Sequence, residues 1–389
     1  MKIAILTRVY EFFPPIHGSA RRIWSIAKNL ANINNNVYLI CCIDRTITKN
    51  FKVKLYDKVK VFYIPYTLST YLQKFIVSPF LRKSRINLKL LEAFLKLNEL
   101  KTIDILQVEY PYLFTEAYPI KLFLNKKLIL DEHGVELDFV INVYEALGKK
   151  VKKVNLYRVK TVETLALKHS DAILVCSEYD KKRIQTLYNV PDNKMLTIPN
   201  CVDEDFFKPV KPYNFNKPTI LFIGGFNHPP NYYAAQIIIN QIVPYVKRKI
   251  KNSLFVFIGQ NPPLWLKKTN ENIVVLGTVP DVRPYIAGAD VAIAPIYHGS
   301  GTRLKILEYM AYGKPVISTT KGAEGLEVKN EKHIIIRDKP EEFAEAIIEL
   351  LTNKKKSQEI GIEGQFLIKE KYTWRRAIEN LINFYKSIL

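Results

Sequence analysis

The sequence predicts an α/β protein made of two doubly wound, Rossmann-like domains facing each other across a cleft. Three observations carry that expectation. Short, continuously apolar runs alternate with helix-period segments, the alternation breaks once at a Pro- and Lys-rich stretch before restarting, and 389 residues exceed what one ordinary core organises. Runs that are apolar throughout, and not merely at alternate positions, belong to parallel strands covered on both faces.

In chain order, the first half reads as strands KIAIL (2–6), NVYLICCI (36–43), KVFYI (60–64), IDILQVE (103–109), KLILDE (127–132), AILVCS (172–177) and MLTIP (195–199). Between the first two lies SARRIWSIAKNLA (19–31), a helix with Ile23, Ala27 and Leu30 on one face and Ser19 placed to cap its start. The aperiodic KPVKPYNFNKP (208–218) is the linker, giving domains of 1–208 and 209–372. Beyond it the pattern resumes with TILFIGG (219–225), a helix over 231–249, LFVFIG (254–259), IVVLGTV (273–279), VAIAPI (291–296), PVISTT (315–320) and HIIIR (333–337), then helices to the end. Ligands of such sheets sit at the carboxyl ends of the strands, so the cleft between the domains is the expected site.

Composition narrows the function. With 58 Lys and Arg against 37 Asp and Glu the net charge is +21, spread over both halves, which favours anionic partners. No aromatic-basic RNA motif or recognition helix accompanies that charge, so a nucleic-acid-binding protein is the weaker reading. Cys41, Cys42, Cys176 and Cys201 show no CxxC spacing and no nearby histidine cluster, which argues against a disulfide framework and a zinc site. MKIAILTRVY reads as a first strand and not a secretion signal, and no apolar run reaches membrane-spanning length. The expected location is cytoplasmic, with an anionic membrane surface as a candidate partner.

The stretch HGSGTRLKILEYMAYG (298–313) carries the chemistry. Gly299 and Gly301 follow a strand, and the helix is expected to begin at about Thr302. Free amides and the positive dipole end attract phosphate there, and glycine lets it approach the backbone. Lys305 and Glu308, three residues apart, share a helix face, while Leu304, Leu307 and Ala311 pack elsewhere. A carboxylate beside a phosphate site is favourable when it accepts from hydroxyls, and ribose supplies two, so the ligand described is a nucleoside diphosphate. GKP (313–315) lacks the Ser or Thr of a Walker loop, and Leu304 stands where a dinucleotide fingerprint needs its last glycine. A plain helix-start loop with a solvated Lys–Glu pair has the same spacing, so the residues alone leave both readings open.

HGSGTRLKILEYMAYGKPVIST (298–319) resembles the donor-binding signature of the GT-B glycosyltransferases, specifically the large retaining family 4 (group 1). IPNCVDEDFFKP (198–209), SDAILVCSEYDKKRI (170–184), VPDVRPYIAGAD (279–290) and YTWRRAIENLINFYKSIL (372–389) are similar to further family blocks, in family order. The resemblance implies transfer of a sugar from a nucleotide-diphosphate donor to a hydroxyl of a glycan or lipid-linked acceptor with anomeric retention, without metal or other cofactor, in surface glycan or polysaccharide synthesis. It implies a donor on the second domain, an acceptor on the first, and a C-terminal helix (373–389) packed back on the first.

Residue by residue, Glu308 matches the family's ribose-binding glutamate, whereas Ser300 stands where a second glutamate usually contacts the donor sugar. The family's Arg and Lys pair is missing from IGGFNHPPN (223–231), which offers Gly224 and Gly225 instead. Arg303 and Lys305 are therefore expected to stabilise the leaving diphosphate. Gly18 resembles the glycine loop that closes over the diphosphate, and His133 in DEHG (131–134) the histidine beside the transferred sugar. The expected donor-binding set is Gly18, Gly224, Gly225, Gly299, Ser300, Gly301, Thr302 and Glu308, with His133, Arg303 and Lys305 catalytic. Asp203, Glu204 and Asp205 read as an exposed acidic turn and not a metal site. Glu132 and Arg8 are near strand ends and could face the cleft. Basic helices over 81–101 and 149–168, the latter with Val151, Val154, Val162 and Leu165 along one side, read as sheet covers, with contact to anionic lipid as the alternative. A nucleotide-sugar epimerase or phosphorylase on the same fold is the rival enzyme reading.

Overall fold

Two sheets organise the computed structural model, which describes residues 1–10, 12, 18–44, 50–66, 87–146, 148–267 and 271–389. Residues 81–86 of the expected basic helix lie outside those described; its remainder is helical over Leu88–Lys96 and Asn98–Lys101, broken at Leu97. Chain contacts divide the protein into two units, one of Met1–Ile141, Val151–Pro199 and Trp374–Leu389, the other of Asn142–Lys150 and Asn200–Thr373.

The first unit's sheet runs β3-β4-β2-β1-β5-β6-β7-β8. Its strands are β1 (Lys2–Thr7), β2 (Asn36–Ile43), β3 (Lys52–Tyr56), β4 (Val59–Pro65), β5 (Ile105–Glu109), β6 (Lys127–Glu132), β7 (Ala172–Val175) and β8 (Met195–Thr197). All pairings are parallel except the β3–β4 hairpin. Order reverses on either side of β1, so β1 and β5 flank a switch point, where loops diverge and ligands enter. The apolar runs became buried strands as expected: all of β5 and β7 is buried. The strand β3 was not anticipated. Its KVKLY is mostly exposed, with Leu55 at 71 %, because it is an edge strand whose lysines discourage further pairing.

The opening helix, Gly18–Asn32, buries Ile23, Ala27 and Leu30, but Ser19 lies inside its first turn and does not cap it. The C-terminal helix Trp374–Ile388 packs against it within the same unit. Trp374, Ala377, Ile378, Leu381 and Tyr385 are buried, a stripe at helical spacing. The helix Lys153–His169 buries Glu163, Ala166 and Leu167, whereas Val154 and Leu165 are exposed. The valine face read from sequence is thus not the buried one; a carboxylate with backbone partners to satisfy occupies the inner side.

The second unit's sheet runs β11-β10-β9-β12-β13-β14, wholly parallel, with its switch point between β9 and β12. Its strands are β9 (Thr219–Ile223), β10 (Leu254–Ile258), β11 (Ile273–Gly277), β12 (Val291–Ala294), β13 (Val316–Ser318) and β14 (Ile335–Ile336). The helix expected over 231–249 is α-helical over Pro229–Ile237 and Val243–Lys249 and π-helical over Ile238–Ile242. Pro244 explains the change: it has no N–H to donate, and its ring crowds the carbonyl four residues back, so the ladder shifts register ahead of it. Phe222, Phe226 and Phe257 anchor this unit's core, and Leu6, Ile40, Leu106 and Leu130 belong to the core of the first.

Candidate functional site

In the second unit, three segments meet at the carboxyl ends of β9 and β12. After β9 the chain turns through Gly224 and Gly225 into the helix Pro229–Ile237, whose Asn231 donates from Nδ2 to the Gly225 carbonyl at 2.9 Å. After β12 comes the loop 298–303, where Gly299 (φ 106°) and Gly301 (φ 73°) hold left-handed conformations that side-chain-bearing residues resist. Thr302 accepts from Asn200 Nδ2 at 2.8 Å, which ties the loop to the segment before the linker.

The following helix spans Leu304–Ala311, two residues later than expected, because Arg303 takes the capping position with extended dihedrals (φ −95°, ψ 97°). Its guanidinium folds back so that Nη1 donates to the carbonyls of Ser300, at 2.8 Å, and Gly301. Arg303 therefore braces the glycine loop as well as charging it.

Lys305 is the centre of this arrangement. Its ammonium donates to Asn231 Oδ1 at 2.7 Å and stands 4.3 Å from the centroid of the Phe222 ring. A Cβ at Gly224 would meet Lys305 Nζ at 2.8 Å and Asn231 Cγ at 2.7 Å, so only glycine leaves the ammonium room. Burial, and then the positive charge of Arg303, push Lys305 down to about 7, against the opposing pull of Glu308. His228, at the head of the helix Pro229–Ile237, is held down to about 4 by desolvation of its ring and then by Lys305 and Arg303. Two cations and open backbone in one place, one of them poorly solvated, are set for a polyanion. Glu308, 5 % exposed, lies one turn further along the same helix.

In the first unit, the carboxyl ends of β1, β5 and β6 bring together Thr7, Arg8, Glu109, Tyr110, Asp131 and His133. His133 Nε2 is 2.6 Å from Oε2 of the fully buried Glu109. Tyr110 has a left-handed backbone (φ 74°), and its ring stacks on His133 with centroids 4.2 Å apart. Its hydroxyl bonds Ser19, the residue after Gly18, so this tyrosine ties the histidine to the first turn of the opening helix, where Gly18 stands as a helical residue and not in a loop. Tyr112 stacks on Tyr110 at 5.2 Å, and the Arg8 guanidinium lies 5.1 Å from the Tyr112 ring centroid. Arg8 is paired with Glu116, which also accepts from Tyr66.

Arg22 and Asp131 form a buried ion pair, with Nη2 to Oδ1 at 2.9 Å and Nε to Oδ2 at 3.2 Å, and Arg22 Nη1 donates to the Ile198 carbonyl. Loss of either partner would strand the other's charge, a cost of about 3–5 kcal/mol. Glu109, Asp131 and His133 present ligand atoms within 4.8 Å of one another, the one such group among the described residues. The set suits a divalent ion poorly, since Arg22 already covers both oxygens of Asp131. The triplet Asp203, Glu204 and Asp205 leads into a short 3-10 turn, with Asp205 paired to Lys208. Glu132 is fully buried, and neither of its oxygens has a hydrogen-bond partner among the described residues. Burial and the adjacent Glu163 and Glu136 hold it well above the usual carboxylate range.

Residues 16–206 match the family described as Glycosyltransferase Family 4, and residues 217–353 the one described as Glycosyl transferases group 1. The chain belongs to the group 1, family 4 glycosyltransferases. Its two-sheet architecture is that of the GT-B fold. A probable sucrose-phosphate synthase of Thermosipho melanesiensis is 24 % identical over 250 residues, 58 % of this chain and 57 % of that protein, so the match spans under two thirds of that relative's length. Among solved structures, the sucrose-phosphate synthase of Thermosynechococcus elongatus superposes with a TM-score of 0.77 at 15 % identity, covering 99 % of this chain and 98 % of that one. Anabaena HepE in complex with UDP-glucose gives 0.71 at 12 % identity, with both chains fully covered.

For this family member, the structure thus groups Gly224, Gly225, Gly299, Ser300, Gly301, Thr302, Arg303, Lys305 and Glu308 in the second unit, and Gly18 and His133 in the first. Sequence reasoning missed Asn231, Glu109, Tyr110 and Arg22. Asn231 follows two prolines at a helix start, a place where a polar side chain commonly turns back to the backbone, and that was the available signal. Arg22 carried none: among SARRIWS it reads as a solvated charge, and only its distant partner Asp131 makes it internal.

Proposed function

We propose that the protein transfers a sugar from a nucleoside-diphosphate donor to a hydroxyl of a glycan or lipid-linked saccharide, with retention of anomeric configuration and without a metal, in cytoplasmic assembly of surface glycan or polysaccharide. The observation that carries this reading is the poorly solvated Lys305 ammonium, held by Asn231 beside Arg303 and the Gly299–Gly301 loop, with Glu308 one turn on. Amides and cations neutralise a diphosphate, and a buried carboxylate accepts from ribose hydroxyls. Breaking the bond from sugar to diphosphate builds charge on the diphosphate, which Lys305 and Arg303 stabilise where a metal would otherwise serve. The HepE complex with UDP-glucose supports a uridine donor, and the position of Ser300 leaves the sugar to be fixed by other contacts.

The test is a melting-temperature screen of UDP, GDP, ADP and their sugars, followed by product analysis with the stabilising donor and candidate saccharides in excess EDTA. A bound nucleotide present at a hundred times its Kd adds about 2.7 kcal/mol of stability. Acceptor-dependent transfer undiminished by EDTA is the expected result. Epimerised donor without acceptor, or sugar phosphate formed only with inorganic phosphate, would replace this reading by the rival enzymes.

No helix among the described residues is long and apolar enough to cross a membrane. Leu122 (62 % exposed), Phe123 (69 %) and Tyr157 (66 %) stand on first-unit helices, the last of them beside the exposed Lys153 and Lys160, which supports docking on anionic lipid. Sedimentation with anionic but not neutral vesicles is expected, and its absence at low salt would remove the membrane from the account.

A further inference from the structure

His133 is held from both sides by groups that the family resemblance did not point to, and the order of their hydrogen bonds has a direction. The Tyr385 hydroxyl, on the C-terminal helix, donates to Gln107 Oε1. That turns the Gln107 amide so that Nε2 donates to Glu109 Oε1 at 2.7 Å. Glu109 is thereby an acceptor on one oxygen, and its other oxygen lies 2.6 Å from His133 Nε2. Gln107, Glu109 and Tyr385 are all fully buried, so no water competes for these positions.

We propose that Glu109 is a positioning residue that fixes His133 as its Nε2–H tautomer, leaving Nδ1 as the ring atom that accepts from a sugar hydroxyl. A carboxylate accepting from one ring nitrogen sets the tautomer at the other. Tyr110, stacked 4.2 Å away and tethered to Ser19, holds the ring plane so that Nδ1 keeps one direction. Asp131, the next carboxylate, has its charge taken by Arg22 and leaves the histidine to Glu109 alone. The Tyr385–Gln107–Glu109 chain thus ties the last helix of the protein to the histidine. The inference rests on the transferase reading for the role of Nδ1, but not for the tautomer itself.

The experiment uses the full chain labelled with 15N at histidine, with the His133 ring signals among the 6 histidines assigned by their loss in His133→Asn. In Glu109→Gln, Gln107 still donates to the amide oxygen, which turns the new NH2 toward His133 and calls for an acceptor at Nε2. The ring is expected to switch from the Nε2–H to the Nδ1–H pattern, kcat to fall about 10²-fold, and donor Kd to stay within about threefold. A wild-type ring already in the Nδ1–H form, an unmoved tautomer in the variant, or a switch with kcat intact would each overturn the proposal. Should Glu109→Gln fail to fold, the wild-type spectrum still decides, since an Nδ1–H ring there overturns the proposal, and Tyr385→Phe, which leaves the Glu109 carboxylate in place, is expected to keep the Nε2–H form; a switch to Nδ1–H in that variant overturns it equally. Absence of transfer from any nucleotide sugar in the wild type would sink the transferase reading while the spectra still decide the tautomer.

Discussion

Lys305→Ala is expected to lower kcat by about 10²–10³-fold while weakening donor affinity by less than about tenfold, measured by steady-state kinetics and calorimetry. The asymmetry follows from where charge develops. A diphosphate linked to a sugar shares its charge with Arg303 and the loop amides, whereas the departing diphosphate gains a further negative charge near the ammonium. Lys305 is placed for that moment by Asn231 and the face of Phe222, in the room that Gly224 leaves by having no side chain. Lys305→Arg is accordingly a poor replacement. A variant with unchanged kcat removes this residue from the reaction.

Donor binding is also expected to draw a proton from solution. Without ligand, burial and Arg303 hold Lys305 down to about 7, far under the usual lysine value. At about pH 8 most molecules therefore present a neutral amine, and a diphosphate beside it restores the charged form in part, so binding takes up a fraction of a proton, up to about half. At about pH 6 the amine is already charged and uptake from it vanishes. Affinity should weaken above about pH 7 by less than about tenfold in all, the limit set by the loss expected of Lys305→Ala. His228, held down to about 4, is neutral over this range and contributes nothing. UDP-glucose titrated calorimetrically in buffers of different ionisation enthalpy reads the proton count directly, and Lys305→Ala should abolish it. Equal heats in all buffers at about pH 8 would contradict this account of the lysine.

Much of this was legible because parallel strands buried on both faces write themselves as continuous apolar runs. NVYLICCI and KLILDE became β2 and β6 without a shifted residue. The half-exposed edge strand β3 wrote no such signal, since KVKLY alternates with lysine and resembles a polar loop. On the helix Lys153–His169 the apolar period named the wrong face. Glu163 turns inward there to accept from the amides of Glu136 and Leu137, a demand made by another helix and invisible locally. Gly299, Gly301, Lys305 and Glu308 were readable because one loop and one helix carry them at fixed spacing. Asn231, 74 positions from Lys305, and Tyr385, 278 from Gln107, act through partners that only the folded chain supplies.

The central claim is tested most directly by a crystal structure of the protein with bound UDP. The account predicts phosphate oxygens at the amides of residues 299–302 and within hydrogen-bond reach of Lys305 Nζ, with both ribose hydroxyls on Glu308. A nucleotide bound elsewhere, with that loop and Lys305 untouched, would contradict it.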